Sequence, residues 1–370
     1  MFFGSTRAHS PDYVVLFCAG FLLLAGLVVL ASASSFVGVA QYEDGSFFLK
    51  RQLLMGLLPG VLGFFVAFKF PYEKLGRRGI SVGLLCVSIF LLLLVFTPLG
   101  LSAKGATRWL QIGGFSFQPA EFLKISLVLY LSSWLAFKDH RQQSWKQGLL
   151  PFAVILTLVS SILVLQHSTS PVAMLMGVAL VMYFMSGAKI RYLGAIIGAG
   201  VLSLALIVAI TPYRAQRILT YLNPEADAQG SGYQLLQAKT AIGAGGLLGV
   251  GYGQSVVKQR LPEAIGDSIF AVIGEEFGFV GCLFIIGLFA ILVFRMLYLA
   301  RNTNDPFGRL LLVGFATTIG LQAFVNIGAM TGLLPLTGTP LPFISYGGTS
   351  LAVLLTMMGI VTNVSRHSSR

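Results

Sequence analysis

Ten apolar stretches, each close to the length that crosses a bilayer, decide what this chain can become. They fall at roughly 13–31, 52–68, 79–97, 119–137, 149–166, 171–187, 192–210, 268–294, 309–330 and 346–364. A helix rises about 1.5 Å per residue, so about twenty apolar residues span the ~30 Å hydrocarbon layer. Backbone polar groups in that layer must be satisfied internally, which leaves helices for runs of this kind. Only 10% of the 370 residues are charged and 56% are hydrophobic, against about 25% charge in a soluble domain. The predicted fold class is all-α: a polytopic integral membrane protein of about ten transmembrane helices in a single membrane domain over 1–370. The first run ends at Ala31-Ser32-Ala33, which has the form of a signal-peptidase site. It is longer than a signal core of about 7–15 residues, and more spans follow, so it is read as an uncleaved first helix.

The charge balance sets the orientation. With the N-terminus in the cytoplasm, the cytoplasmic segments hold fifteen basic residues against four acids. The other side keeps ten basic residues and nine acids, so the +12 of the whole chain divides as +11 inside and +1 outside. That asymmetry is the positive-inside pattern. Both termini are then cytoplasmic, and the longest polar interval, about 211–267 between helices 7 and 8, is a long extracytoplasmic loop. ATP and nicotinamide cofactors are not available on that side. Cys18, Cys86 and Cys282 lie far apart in apolar runs and His9, His140, His167 and His367 are scattered, which speaks against a disulfide frame or a zinc centre. No basic tract is interleaved with aromatics, so nucleic acid is not an expected partner.

Several polar groups on the outer side are candidates for chemistry. Lys104 and Arg108 precede Pro119, which suits the first turn of a helix, and Glu121 and Lys124 follow at a spacing that pairs them on one face. That pair reads as a tie between helices or as support for a site. Arg108, beside Trp109, reads as an interfacial anchor or a phosphate ligand. The long loop carries Arg214, Arg217, Lys258, Arg260 and Glu263, and six glycines between Gly243 and Gly253. The glycines lack the G-x-G-x-x-G spacing and follow no strand, so they are expected to permit close backbone packing or a re-entrant turn. Tyr233 to Ile242 has the spacing of a short surface helix. Asp267 stands at the head of the eighth run, where a cap and a catalytic carboxylate are equally compatible with the residue order. Glu275 and Glu276 lie further along, at a depth where a carboxylate needs a partner or a wet cavity. The charge-free connection Thr331–Gly348, with Pro335, Pro340 and Pro342, is expected to be a rigid irregular wall beside the long loop.

Taken together, these segments resemble the SEDS family (shape, elongation, division and sporulation). The resemblance is carried by Ala106-Thr107-Arg108-Trp109, Ser116-Phe117-Gln118-Pro119-Ala120-Glu121, Asn223-Pro224 with Gly230-Ser231-Gly232-Tyr233-Gln234, and Leu261-Pro262-Glu263 with Asp267. Gly274-Glu275-Glu276-Phe277-Gly278, Gly332-Leu333-Leu334-Pro335 and Leu341-Pro342-Phe343-Ile344-Ser345-Tyr346-Gly347-Gly348 complete it. The stretch 223–255 is more similar to the division branch than to the elongation branch, whose glycine-rich run carries an insertion. The resemblance implies ten membrane helices and a peptidoglycan glycosyltransferase that polymerises lipid II outside the cytoplasmic membrane. It also implies a class B penicillin-binding protein as partner, other division proteins around it, and Asp267 as the catalytic carboxylate. Two positions depart from the family pattern: Ser168 stands where a Gln-Pro-Asp-x-Gly-Thr motif has its acid, and Ile265-Gly266 stands where His-Thr is common.

The chemistry is consistent with that implication. A sugar hydroxyl must attack an anomeric carbon bearing a diphosphate-lipid leaving group. One carboxylate to accept the hydroxyl proton and several cations to hold the diphosphate suffice. Lys104, Arg108, Arg214, Arg217, Lys258 and Arg260 are the candidate cations, Glu263 an accompanying substrate-binding acid, and a divalent cation such as Mg²⁺ or Mn²⁺ could share the charge. A lipid II flippase and a non-catalytic division scaffold are the competing readings.

Overall fold

The computed structural model describes residues 9–103, 106–113, 115–136, 141–210, 221–227, 230 and 232–368. Each predicted span is a helix: α1 (Tyr13–Tyr42), α2 (Phe47–Lys69), α3 (Arg78–Leu94), α4 (Pro119–Leu135), α5 (Trp145–Leu165), α6 (Thr169–Met185) and α7 (Ile190–Ile210). The surface helix α8 (Tyr233–Ala244) follows, and α9 (Ile269–Arg301), α10 (Pro306–Thr331) and α11 (Gly348–Ser365) complete the set. Among the described residues, six helices are long and apolar enough to cross a membrane on length and composition alone. The others are shorter or, like α4 with its buried Glu121 and Lys124, more polar. The protein is a multi-pass membrane protein.

The apolar windows of α10 and α11 are 67% and 72% buried, against 22% for α2 and 28% for α9. α10 and α11 are therefore central, and the outer helices turn apolar side chains such as Phe65 and Phe284 outward. Small residues draw the backbones together, as is usual where lipid supplies no hydrophobic drive between helices. Gly56 and Gly60 of α2 pack on Gly348 and Ala352 of α11, where a Cβ on either glycine would come within 3.1 Å of backbone. α2 widens by one residue over Leu53–Leu57, just before Pro59, and α5 does the same over Trp145–Leu149 before Pro151. A proline inside a helix removes one donor and crowds the preceding turn, and the wider turn relieves that clash.

α1 runs on to Tyr42, well past its predicted end. Ala31-Ser32-Ala33 lies inside it, with Ser32 and Ala33 buried. A second departure is a small sheet in the connection before α4. β1 (Gly100–Ala103), β2 (Ala106–Ile112) and β3 (Phe115–Phe117) form an antiparallel meander in the order β1-β2-β3. Leu101 lies opposite Trp109, and Leu110 opposite Phe117. Leu110 is fully buried, so the sheet rests on the bundle and presents β2 to it.

The wall after α10 is irregular, as expected, and its backbone polar groups find partners in neighbouring segments. Asn326 of α10 donates to Thr339 O at 2.7 Å, and Gln322 donates to Pro340 O at 2.9 Å. Leu341 N bonds Ser345 Oγ at 2.7 Å.

Candidate functional site

One cavity of about 420 Å³ opens where the sheet, the wall, the α5–α6 turn and the start of α9 converge. Its lining includes Arg108, Glu121, Lys124, Ser168, Glu263 and Asp267. Five separate segments of the sequence, from α2 to the start of α11, thus meet around one space.

Asp267 reaches it because its loop is stapled to the wall. Tyr346 N bonds Ile265 O at 2.8 Å, Ser345 Oγ bonds Gly266 O at 2.7 Å, and Asn326 bonds Asp267 O at 2.8 Å. Ser268, not Asp267, occupies the cap position of α9, and its hydroxyl donates to Pro262 O. The cap alternative for Asp267 is therefore not the observed arrangement. Glu263 turns the loop with a left-handed backbone (φ 54°), and its carbonyl accepts from Gly266 N and Ser268 N. A Cβ at Gly266 would lie 3.4 Å from Glu263 Oε2, an ordinary contact.

Opposite this loop, β2 delivers Arg108, whose Nη2 donates to His167 O at 2.7 Å. His167 has a left-handed backbone (φ 56°) in the tight α5–α6 turn. Gln166 donates to Leu92 O at 2.7 Å and Ser170 donates to Thr337 O, so the turn is tied to α3 and to the wall. Ser168 is buried and lines the cavity. Glu121 and Lys124 pair at 2.8 Å, and Lys124 also bonds Gln322 at 3.1 Å. The pair is both a tie between α4 and α10 and part of the cavity lining. Glu121 Oε2 is buried with no hydrogen-bond partner among the described residues.

Other sequence candidates lie elsewhere. Lys258 does not line the cavity: it is buried, with its ammonium 3.0 Å from Glu276. The reason is the break in α9 at Gly278 (φ 66°), which folds the preceding loop back onto the helix. Glu275 accepts from Val256 N, Val257 N and Ser255 Oγ in the same region. Both glutamates are thus enclosed by partners away from the cavity. Arg260 is exposed and does not line it either. Lys104, Arg214 and Arg217 lie outside the described residues. The glycine run packs as expected: Val250 N bonds Glu275 O at 2.9 Å and Gly251 N bonds Glu276 O at 3.1 Å, across the break.

Sequence reasoning missed Arg51, Gln118, Tyr346 and Thr349, all of which line the cavity. Arg51 precedes Gln52, whose side chain accepts from Gly347 N at 3.0 Å, so α2 brings the arginine to the base of the wall. Burial pushes the Tyr346 phenol above its ordinary value, partly offset by the charge of Arg51. That phenol stays protonated near neutral pH and can donate. Gln118 and Tyr346 stand within the motifs that carry the family resemblance, whereas Arg51 is marked in the sequence by no more than its place at the edge of an apolar run. Among the described residues, no three His, Cys, Asp or Glu side chains form a group able to hold a metal ion. Glu263 and Asp267 provide two carboxylates, a donor set that suits Mg²⁺ only when phosphate oxygens and water complete the shell.

Comparison with known proteins matches this architecture throughout. A sequence profile described as the FtsW/RodA/SpoVE cell cycle protein family covers residues 13–370. The chain is 42% identical over 359 residues to a probable peptidoglycan glycosyltransferase FtsW of Geobacter metallireducens, covering 96% of this chain and 94% of that one. It is 37% identical over 366 residues to stage V sporulation protein E of Bacillus subtilis, covering 98% and 99%. Among solved structures, rod shape determining protein RodA of Thermus thermophilus superposes with a TM-score of 0.72 at 28% identity, covering 97% of this chain and 98% of that one. A chain from a structure described as a peptidoglycan synthase complex that coordinates polymerization and crosslinking gives 0.79 at 29% identity, covering 96% and 98%. The profile match over residues 13–370 and the relatives at 42% and 37% identity lead to one conclusion: this chain belongs to the FtsW/RodA/SpoVE family.

Proposed function

We propose that the protein is a peptidoglycan glycosyltransferase that polymerises lipid II on the outer face of the cytoplasmic membrane during cell division. The observation that carries this reading is the meeting of Asp267 and Arg108, from segments far apart in sequence, on one cavity. The names of the relatives and of the synthase-complex neighbour support it. Asp267 takes the proton from the attacking sugar hydroxyl as the new bond forms at the anomeric carbon. The bond from that carbon to the diphosphate oxygen breaks, and undecaprenyl diphosphate departs with the electron pair. Arg108 and Arg51 face the cavity with positive charge that offsets the charge developing on the leaving group. Displacement without a covalent enzyme intermediate inverts the anomeric centre, by analogy with inverting glycosidases. A Mg²⁺ or Mn²⁺ ion, if shared with the diphosphate, would be held by Glu263 and Asp267 and would neutralise phosphate charge.

The charge asymmetry of the sequence supports an orientation with the cavity end of the bundle outward and both termini in the cytoplasm. Cysteines introduced at Ser231 and Ser144 test this: an impermeant thiol reagent should label them from opposite sides. The family likeness and the synthase-complex neighbour support a class B penicillin-binding protein as partner, checked by copurification. Reconstitution with labelled lipid II, scored separately for polymer and for translocation, tests the activity. Glycan chains from the wild type and none from Asp267→Asn are expected. Translocation without polymer would favour a flippase, and neither activity would favour a scaffold.

A further inference from the structure

Lys258 and Glu276 stand nine residues before and nine residues after Asp267. Their side chains close the intervening segment at its base, with Nζ 3.0 Å from Oε1. Ser32 of α1 joins them, donating to Glu276 Oε1 at 2.5 Å and accepting from Lys258 Nζ at 3.0 Å. The third ammonium proton goes to Gly253 O at 2.9 Å. All three residues are at most 7% exposed. Just beyond Glu276, the break at Gly278 separates the short half-helix headed by Ile269 from the rest of α9.

We infer that Lys258, Glu276 and Ser32 form a positioning clamp for Asp267. The wall fixes the top of the Asp267 loop through Ser345, Tyr346 and Asn326. At the base of the half-helix the glycine run bonds the backbone, through Val250 N to Glu275 O and Gly251 N to Glu276 O. The clamp adds a side-chain tie of both limbs of the loop to α1. A buried ion pair seldom adds net stability over well-packed apolar residues, because desolvation consumes its Coulombic gain. What it does add is direction: Lys258 can satisfy its three acceptors, Gly253, Ser32 and Glu276, only in one arrangement of α1, the loop and the half-helix. A reacting carboxylate needs that kind of placement, since a misplacement of about 1 Å can cost a hundredfold in rate. This inference rests on Asp267 being the base.

The test is the double variant Lys258→Met with Glu276→Leu, which removes both charges together and keeps the volume. In the full-length protein reconstituted with labelled lipid II, kcat should fall roughly tenfold to a hundredfold with KM changed less than about threefold. The thermal midpoint should stay near that of the wild type. Hydrogen exchange at Gly266 N and Ser268 N, both bonded to Glu263 O, should quicken. Unchanged exchange would overturn the clamp, and so would faster exchange with an unchanged kcat. If the wild type itself makes no polymer while exchange still quickens in the variant, the polymerase reading fails and the mechanical clamp stands. Should the double variant not fold, Ser32→Ala, which removes one of the three links without leaving a charge unpaired, should give the same kcat loss in milder form. No loss there would also overturn the inference.

Discussion

Asp267 and Glu276 lie at the two ends of one short half-helix, yet their surroundings differ in kind. Asp267 faces a cavity whose other walls come from the sheet, the α5–α6 turn and the irregular segment after α10. Glu276 faces Lys258 and Ser32 across distances of 3.0 and 2.5 Å and has no share in that cavity. Both are carboxylates beside a membrane helix, and both needed an explanation for the same reason: a charge near hydrocarbon requires a partner or water. One lines a shared cavity and the other is enclosed beside a fixed cation. The comparison teaches that the surroundings, not the depth, decide which carboxylate is open to a ligand and which is enclosed.

The sharpest way to break this contrast is Asp267→Asn. Asn keeps the shape and hydrogen-bonding capacity but cannot take up a proton. General-base catalysis typically supplies about 10²–10⁴-fold, so glycan polymerisation should drop at least about a hundredfold with normal expression and thermal midpoint. Near-normal polymer from this variant would move the base to Glu263. The opposite behaviour is expected at the clamp. Lys258→Met alone leaves Glu276 charged and buried, and losing one partner of a buried pair costs about 3–5 kcal/mol. Poor folding or a sharply lower thermal midpoint is the expected outcome, and a stable single variant would show that the pair is not needed for folding.

Glycines around the clamp should be equally intolerant. A Cβ at Gly249 would lie 2.2 Å from Glu276 O, and the residue has φ +82°. Gly249→Ala should lose about 2–3 kcal/mol from left-handed strain and the backbone clash together. Chemical denaturation in detergent would measure it, and a loss below half of that would mean the α9 break relaxes easily.

The helices were legible because membrane-length apolar runs have few alternative structures. The Glu121–Lys124 pair was legible as well, since helical spacing alone puts residues three apart on one face. Lys258 was not, because its ammonium could be placed only by knowing that α9 breaks at Gly278 and folds the loop inward. Nothing in the local sequence distinguishes that lysine from a solvent-facing one. Arg51 was missed for a related reason: its place in the cavity depends on how α2 packs on α11, a contact between residues nearly 300 positions apart. The sheet escaped notice because its strands, of three to seven residues, carry too little alternation to stand out beside runs of twenty.

On the cavity side, Arg108 sharpens the comparison from the cationic wall. A charge-assisted hydrogen bond is worth about 1.5–3 kcal/mol, so Arg108→Ala should slow turnover on lipid II by more than about tenfold. Arg108→Lys should recover part of the loss, because Lys keeps the charge but lacks the forked geometry. Equal turnover in wild type and Arg108→Ala would assign this arginine to holding the α5–α6 turn through His167 O and nothing more.

The smallest effect is expected at Gly266. It lies in the Asp267 loop, and the contrast with Gly249 is direct. Its backbone is not left-handed, and an added Cβ would meet Glu263 Oε2 at 3.4 Å, with the next contacts at 3.7 and 3.9 Å. No backbone has to move. Replacing a glycine whose conformation other residues can adopt restricts the unfolded chain and stabilises by about 0.4–1 kcal/mol. Gly266→Thr should therefore raise the thermal midpoint slightly and leave polymerisation within about threefold, on the same grounds of conformational compatibility. The added hydroxyl would sit beside the Glu263 carboxylate and could bond it. A loss of tenfold or more, with stability intact, would show that Glu263 must stay available to substrate. In that case the cavity side would contain two working carboxylates, Glu263 and Asp267, against the two enclosed ones at Glu275 and Glu276.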